Sequence, residues 1–278
     1  IPVFLVTGAA APVVIDRLTI ANGLRNSNSS GGGIQNGGTL TLSNSVVRNN
    51  TVMGSSGGGL GTSFGSSTLV VNCTFSGNTA DEGGAIYSDI ATLTLVNSTI
   101  TGNSALGIAA AFGGGIYSFS TTTVINSTIT GNSASDSHGA NGGGISFRGS
   151  APHWIVNSII AGNTATFTGP DVSGTVTSQG HNLIGNSSDS TGFTHGVNGD
   201  MVGVSTSLGT LQDNGGSVPT MALQAGSLAI NAGANVTTLS SAVADGSTTT
   251  IDVVDATCFA AGIGFAIQID NEQMIVNS

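Results

Sequence analysis

Residues 92–103 read Thr92-Leu-Thr-Leu-Val-Asn97-Ser-Thr-Ile-Thr-Gly-Asn103. Apolar and hydroxyl side chains alternate with a period of two on both sides of Asn97, and the branched residues Val, Ile and Thr dominate. That pattern favours short half-buried strands over helix. The phrase Asn-Ser-x-(Ile/Val)-x-x-Asn, or a close variant, starts at Asn44, Asn72, Asn97, Asn126 and Asn157, in steps of 28, 25, 29 and 31 residues. A second marker, Gly-Gly-(Gly/Ala)-(Ile/Leu), ends at Ile34, Leu60, Ile86, Ile116 and Ile145, in steps of 26, 26, 30 and 29. Two markers that keep the same order and nearly the same period identify a repeat.

Equivalent positions keep their chemistry from copy to copy. Two residues before the marker Asn stand Leu42, Val70, Leu95, Val124 and Ile155, and three after it stand Val47, Phe75, Ile100, Ile129 and Ile160. Hairpins do not require like residues at like positions, whereas one coil per repeat stacks them ~4.8 Å apart in continuous apolar columns. The pattern therefore predicts an all-β, right-handed parallel β-helix with three strands per coil and about 6–8 coils. It also predicts two Asn ladders. One is Asn44, Asn72, Asn97, Asn126 and Asn157; the other is Asn50, Asn78, Asn103, Asn132 and Asn163. Stacked amides can hydrogen-bond above and below without the repulsion of stacked charges. The Gly pairs suit a turn with positive φ.

Between the second Asn and the Gly pair the spacer varies: six residues at 51–56, four at 79–82 and nine each at 104–112 and 133–141. One corner of the coil is thus expected to carry the loops, and in repeat proteins such a face often binds.

Composition narrows the function classes. Only 6% of the residues are charged, with four Arg, no Lys and a net charge of −10, so the basic footprint that nucleic acid needs is missing. No apolar run reaches the ~20 residues of a membrane-spanning helix. Asn, Ser and Thr carry the polarity, which points to an extracellular or cell-surface setting. Cys73 and Cys258 are too few and too far apart for a disulfide framework. Cys73 takes the place held by Ser45, Ser98, Ser127 and Ser158, as a small buried residue. The apolar opening at 1–15 lacks a basic leader and reads as strands of a first coil, the true N-terminus lying outside this segment.

After Asn163 the repeat loosens. We expect coils over 1–200, an irregular cap segment over 201–234, a linker at 234–241, and the start of a separate β-module within 235–278, with strands at 247–254 and 265–270. Asp213-Asn-Gly-Gly216, Thr220-Met-Ala-Leu223 and Ala229-Ile-Asn-Ala-Gly233, with the Asn-Ser-Thr-Ile-x-Gly-Asn coils, resemble bacterial right-handed β-helix repeat proteins of the pectate-lyase-like superfamily. The C-terminal signature resembles that of the choice-of-anchor Q type, with Leu228 at a usual proline. The likeness covers residues 14–234. It implies a secreted or surface-anchored segment of a larger bacterial protein and no established activity.

A glycosidase needs facing carboxylates and a lyase needs a cation or metal with a base. The repeats offer no such constellation, so no catalytic residue is assigned. Asp81, Glu82 and Asp136 on the variable corner are the candidate ligands of a weak Ca²⁺ site, and no other cofactor is expected. Trp154, with Arg148 and His153, is the candidate sugar-stacking group, since aromatic faces pack against sugar rings as they do against cations. His138, His181 and His195 lack ligand spacing and read as surface residues. The expected function is a non-catalytic scaffold, adhesin-like or stalk-like, monomeric, with a polysaccharide or cell-surface glycan as partner. The alternative is a polysaccharide lyase or glycoside hydrolase acting on an acidic polysaccharide.

Overall fold

A computed structural model describes residues 2–8, 11–26, 29–108 and 110–233, together with the backbone of strands 265–269 and 272–276. Strands of consecutive repeats pair in parallel and in register. In the second sheet Val70 lies opposite Leu42 on one side and Leu95 on the other, and Val124 continues the column to Ile155. In the third sheet Phe75, Ile100, Ile129 and Ile160 are likewise opposed. These side chains are fully buried, as are Ile34, Leu60, Ile86, Ile116 and Ile145 from the Gly-Gly-x-Ile strands of the first sheet. They form one continuous core along the axis. Each such side chain contributes roughly 1.5–3 kcal/mol on leaving water.

Among the described residues, six coils carry strands in four parallel sheets, and two partial coils follow. The expected three strands per coil are joined by a shorter fourth, such as Ser104–Ala105 or Ser133–Ala134. It arises because the Gly-Asn turn after the third strand sends two residues onward in extended form before the variable loop begins. Alanines at this narrow corner, Ala105, Ala111, Ala134 and Ala140, make a small second core.

Two turn types hold the corners. The first Gly of each pair has positive φ, for example 74° at Gly57 and 62° at Gly113. At the second Gly a side chain has no room, since a Cβ on Gly58 would strike the carbonyl oxygens of Gly84 and Thr79. At the corner between the second and third sheets, Asn44, Asn72, Asn97, Asn126 and Asn157 take the left-handed conformation themselves, with φ of 47–51°. Among ordinary residues Asn tolerates that region well.

The chain divides into two compact units, Ile1–Gly233 and Ala234–Ser278. Within the first, the irregular segment after the coils forms an antiparallel hairpin, Leu208–Gln212 with Thr220–Leu223. It runs back along the flank of the coil: Thr74 Oγ1 donates to Pro219 O (2.6 Å), and Ser217 Oγ to Asn44 Oδ1 (3.2 Å). Farther on, Ala232 O lies 3.0 Å from His181 Nδ1. In the second unit Phe265–Ile269 pairs antiparallel with Glu272–Val276. The expected linker, the strand at 247–254 and Cys258 lie outside the described residues.

Candidate functional site

The two Asn columns differ in environment and role. Asn50, Asn78, Asn103, Asn132 and Asn163 point inward and are buried. In the first four, Nδ2 donates to the Oδ1 of the next coil's Asn at 2.9 Å, and the backbone N–H donates to the same oxygen at 2.9–3.0 Å. Nδ2 also reaches a carbonyl of the coil before, as from Asn103 to Phe75 O. The inner ladder thus satisfies backbone groups that a tight buried turn would orphan. The marker Asn column sits at the outer corner. There Asn72 Nδ2 donates to Asn44 Oδ1, Asn157 Nδ2 to Asn126 Oδ1, and Asn44 Nδ2 to Asp16 Oδ1. Hydrogen bonds from Ser43 and Asn44 hold the Asp16 carboxyl below its ordinary range.

A further inner column was not foreseen as a ladder. The backbone N–H groups of Cys73, Ser98 and Ser127 donate to the Oγ of Ser98, Ser127 and Ser158, and that of Ser158 donates to Asn182 Oδ1. Cys73 fills one place in this column. Its thiol is buried and unpaired by disulfide, and burial pushes it up to about 12.

The three corner acids go to separate partners. Asp81 Oδ1 accepts from Gly54 N, Glu82 Oε2 from Ser56 Oγ, and Asp136 Oδ1 from Ser137 Oγ and His138 N. Burial raises Glu82 above the usual carboxylate range, and Asp81 adds to this against the Ser56 hydrogen bond. Among the described residues no three His, Cys, Asp or Glu side chains converge on a common cation position. The same corner exposes large apolar side chains: Leu106 by 51%, Ile108 by 86% and Phe167 by 73%.

The trio proposed for sugar stacking is not brought together. Trp154 is half-buried on the outside of the second sheet, continuing the column of Thr94 and Thr123. Its neighbour His153 points the opposite way, as alternation along a strand requires. His153 is buried and stacks on Phe147 at 4.1 Å, with neither ring nitrogen hydrogen-bonded. Burial pushes it down to about 4. His138 is exposed, whereas His181 is half-buried against Ala232 O.

Arg148 belongs to a different cluster, on the outer face of the first sheet. Its guanidinium lies 4.6 Å from the centre of the Phe112 ring, and its charge opposes the rise of the Tyr117 hydroxyl. With its amide turned to satisfy both groups, Asn141 accepts from Arg148 Nη2 at 3.1 Å. Around Tyr117 stand Tyr87 (5.8 Å between ring centres), Phe112 (5.2 Å) and Phe119 (5.0 Å). Burial raises both tyrosine hydroxyls. The Glu82 carboxylate adds to the effect on each, and Asp89 adds to it at Tyr87, which reaches about 12. The sequence did carry a trace of this cluster in the paired Ile86-Tyr87 and Ile116-Tyr117, where an outward position holds an aromatic ring twice in succession.

Residues 4–141 match the family described as right handed beta helix region. No curated protein and no solved structure matches the chain. The matched stretch ends within the fifth full coil, and the same parallel register continues unbroken through Ile145 and Ile155. The chain is accordingly a parallel β-helix repeat protein of the right-handed type.

Proposed function

We propose that this β-helix is a non-catalytic scaffold, secreted or displayed on a bacterial cell surface, that presents recognition loops in an adhesin-like or stalk-like role. A polysaccharide or cell-surface glycan is the class of partner. The observation that carries this reading is the variable corner. Length variation between repeats is concentrated there, and the same corner exposes the large apolar side chains Leu106, Ile108 and Phe167. Exposed apolar groups gathered on one loop face mark an interaction site more often than scattered ones do. The low, net-negative charge suits a partner recognised by shape and hydroxyl chemistry rather than by phosphate.

The test is adhesion of the recombinant chain to polysaccharide-coated and whole-cell surfaces, beside a Leu106→Ser/Ile108→Ser/Phe167→Ser variant. Saturable adhesion that the variant loses while it keeps its β-rich circular dichroism supports the proposal. Absence of adhesion, or adhesion indifferent to the variant, overturns it. Absorbance of unsaturated products from uronate polymers runs alongside, and turnover there restores the lyase reading.

A further inference from the structure

The outward middle position of the first sheet runs Leu5, Gln35, Gly61, Tyr87, Tyr117, Ser146, Ser173 and Asp189 from coil to coil. Beyond Leu5 in the first coil, this column is polar or small except at two consecutive coils, where it is aromatic. Phe112 and Phe119 flank Tyr117 along its own coil, one toward the variable corner and one toward the next turn. Rings therefore run both across the sheet and along the axis. Packing under the 104–112 loop accounts for Phe112, which lies in it, but not for Phe119, which sits beyond the far end of the strand. Tyr87, Phe112 and Phe119 are only half-buried, so part of the cluster faces solvent.

We infer that Tyr87, Phe112, Tyr117 and Phe119, with Arg148 and Glu82 at the margins, form a platform that binds a neutral pyranose chain. This rests on the reading of the chain as a glycan-directed scaffold and adds a glycan contact on the first sheet beside that of the corner loops. Aromatic rings offer apolar faces for the C–H faces of sugars, and each ring spacing here is comparable to the span of one sugar residue. Charge selects the neutral class. Arg148 is committed to the Phe112 face and Asn141, so it stiffens the platform. Glu82 and Asp89 act on the tyrosines and would repel a uronate. A carboxylate such as Glu82 has lone pairs to accept sugar hydroxyls beyond the one used by Ser56.

Calorimetric titration of the whole chain with cellohexaose, mannohexaose and trigalacturonate tests this, with Phe119→Ala and Tyr87→Ala as outward variants and Tyr117→Phe as one that keeps the ring. We expect saturable binding of a neutral hexaose and none of trigalacturonate. Each alanine variant should weaken binding about tenfold with an unchanged melting temperature. Tyr117→Phe should bind within about threefold of the parent, because Tyr117 is buried and its ring supports the half-exposed Tyr87, Phe112 and Phe119 rather than touching the sugar. No binding of either neutral hexaose, preference for trigalacturonate, or binding unaltered in the alanine variants overturns the inference. So does early melting of the alanine variants without any ligand response, which would make the cluster a packing unit. Failure here with corner-dependent adhesion intact leaves the scaffold reading standing.

Discussion

At His153 the repeat places an imidazole where equivalent coils have Leu40, Thr68, Leu93 and Thr122, all facing the core. Both ring nitrogens are buried without partners, which costs about 1–3 kcal/mol each relative to a satisfied or apolar group. The ring is neutral when folded, with its pKa pushed down from 6.5 to about 4 by burial. Between those values the unfolded chain takes up a proton that the folded chain refuses. Stability therefore falls as pH is lowered through that window, by up to roughly 3 kcal/mol. His153→Leu should raise stability by ~1–3 kcal/mol at pH 7 and by more at pH 5. Urea unfolding at both pH values checks this, and an unchanged pH slope in the variant would refute it. The column position was legible in the sequence, because period-2 alternation and the 28-residue step assign inside and outside without coordinates. The pairing of His153 with Trp154 as one binding group failed for the same reason: adjacent strand residues face opposite ways. Arg148 keeps other company than Trp154, since its contacts cross from the strand that ends at Phe147 to loop residues whose register varies.

The ladders are elements in their own right, and each has a direction. In the inner Asn ladder the backbone N–H and one Nδ2 hydrogen of each residue point to the following coil, so the last amide needs an acceptor at the far end. Asp171 supplies it: Oδ1 accepts from both N and Nδ2 of Asn163 at 2.8 Å, and Oδ2 accepts from Asn186 N at 2.7 Å. The Ser column ends in the same fashion, through Asn182 on Asp200 Oδ1, with Ser178 Oγ on the other oxygen. The outer Asn corner runs the other way and ends on Asp16 of the first coil. Three ladders thus finish on carboxylates, the strongest acceptors available for N–H groups. The Asn positions were readable from spacing. Asp171 was not, because it lies eight residues from Asn163 and not a coil away, reached only by the short turn that replaces the Gly-Gly corner. Asp171→Asn keeps one acceptor but sets an NH₂ against the N–H of Asn186 or of Asn163. We expect a loss of about 2 kcal/mol. It should be confined to the terminal coils: hydrogen exchange should quicken at Val172, Leu183 and Ile184 and stay slow at Leu95 and Ile100. Uniform quickening along the coil would refute the role of Asp171 as a ladder end.

Over the whole first unit the flank segment alters how stability is shared. A pure solenoid couples each coil only to its neighbours, so damage at one end stays there. Here the segment touches Asn44 and Thr74 near the beginning and His181 near the end, five coil steps or roughly 24 Å apart. Thr74 is wholly buried although it faces outward, because Pro219 covers it, and Val218 beside that contact is only 7% exposed in an otherwise open loop. The segment therefore ties early coils to late ones through contacts more than 140 residues apart in sequence. Placing a charge in that seam should release it at a cost of about 2–3 kcal/mol, since a carboxylate there would have to leave water. For Val218→Asp we expect amides of the third sheet near Val47 and Phe75 to exchange faster, though residue 218 lies far along the chain. Unfolding followed separately at early and late coils should change from one transition to two as the long-range coupling is lost. If Val218→Asp quickens only residues 208–223 and leaves the early coils protected, the coils are held by nearest-neighbour contacts alone and the segment is a passive tail.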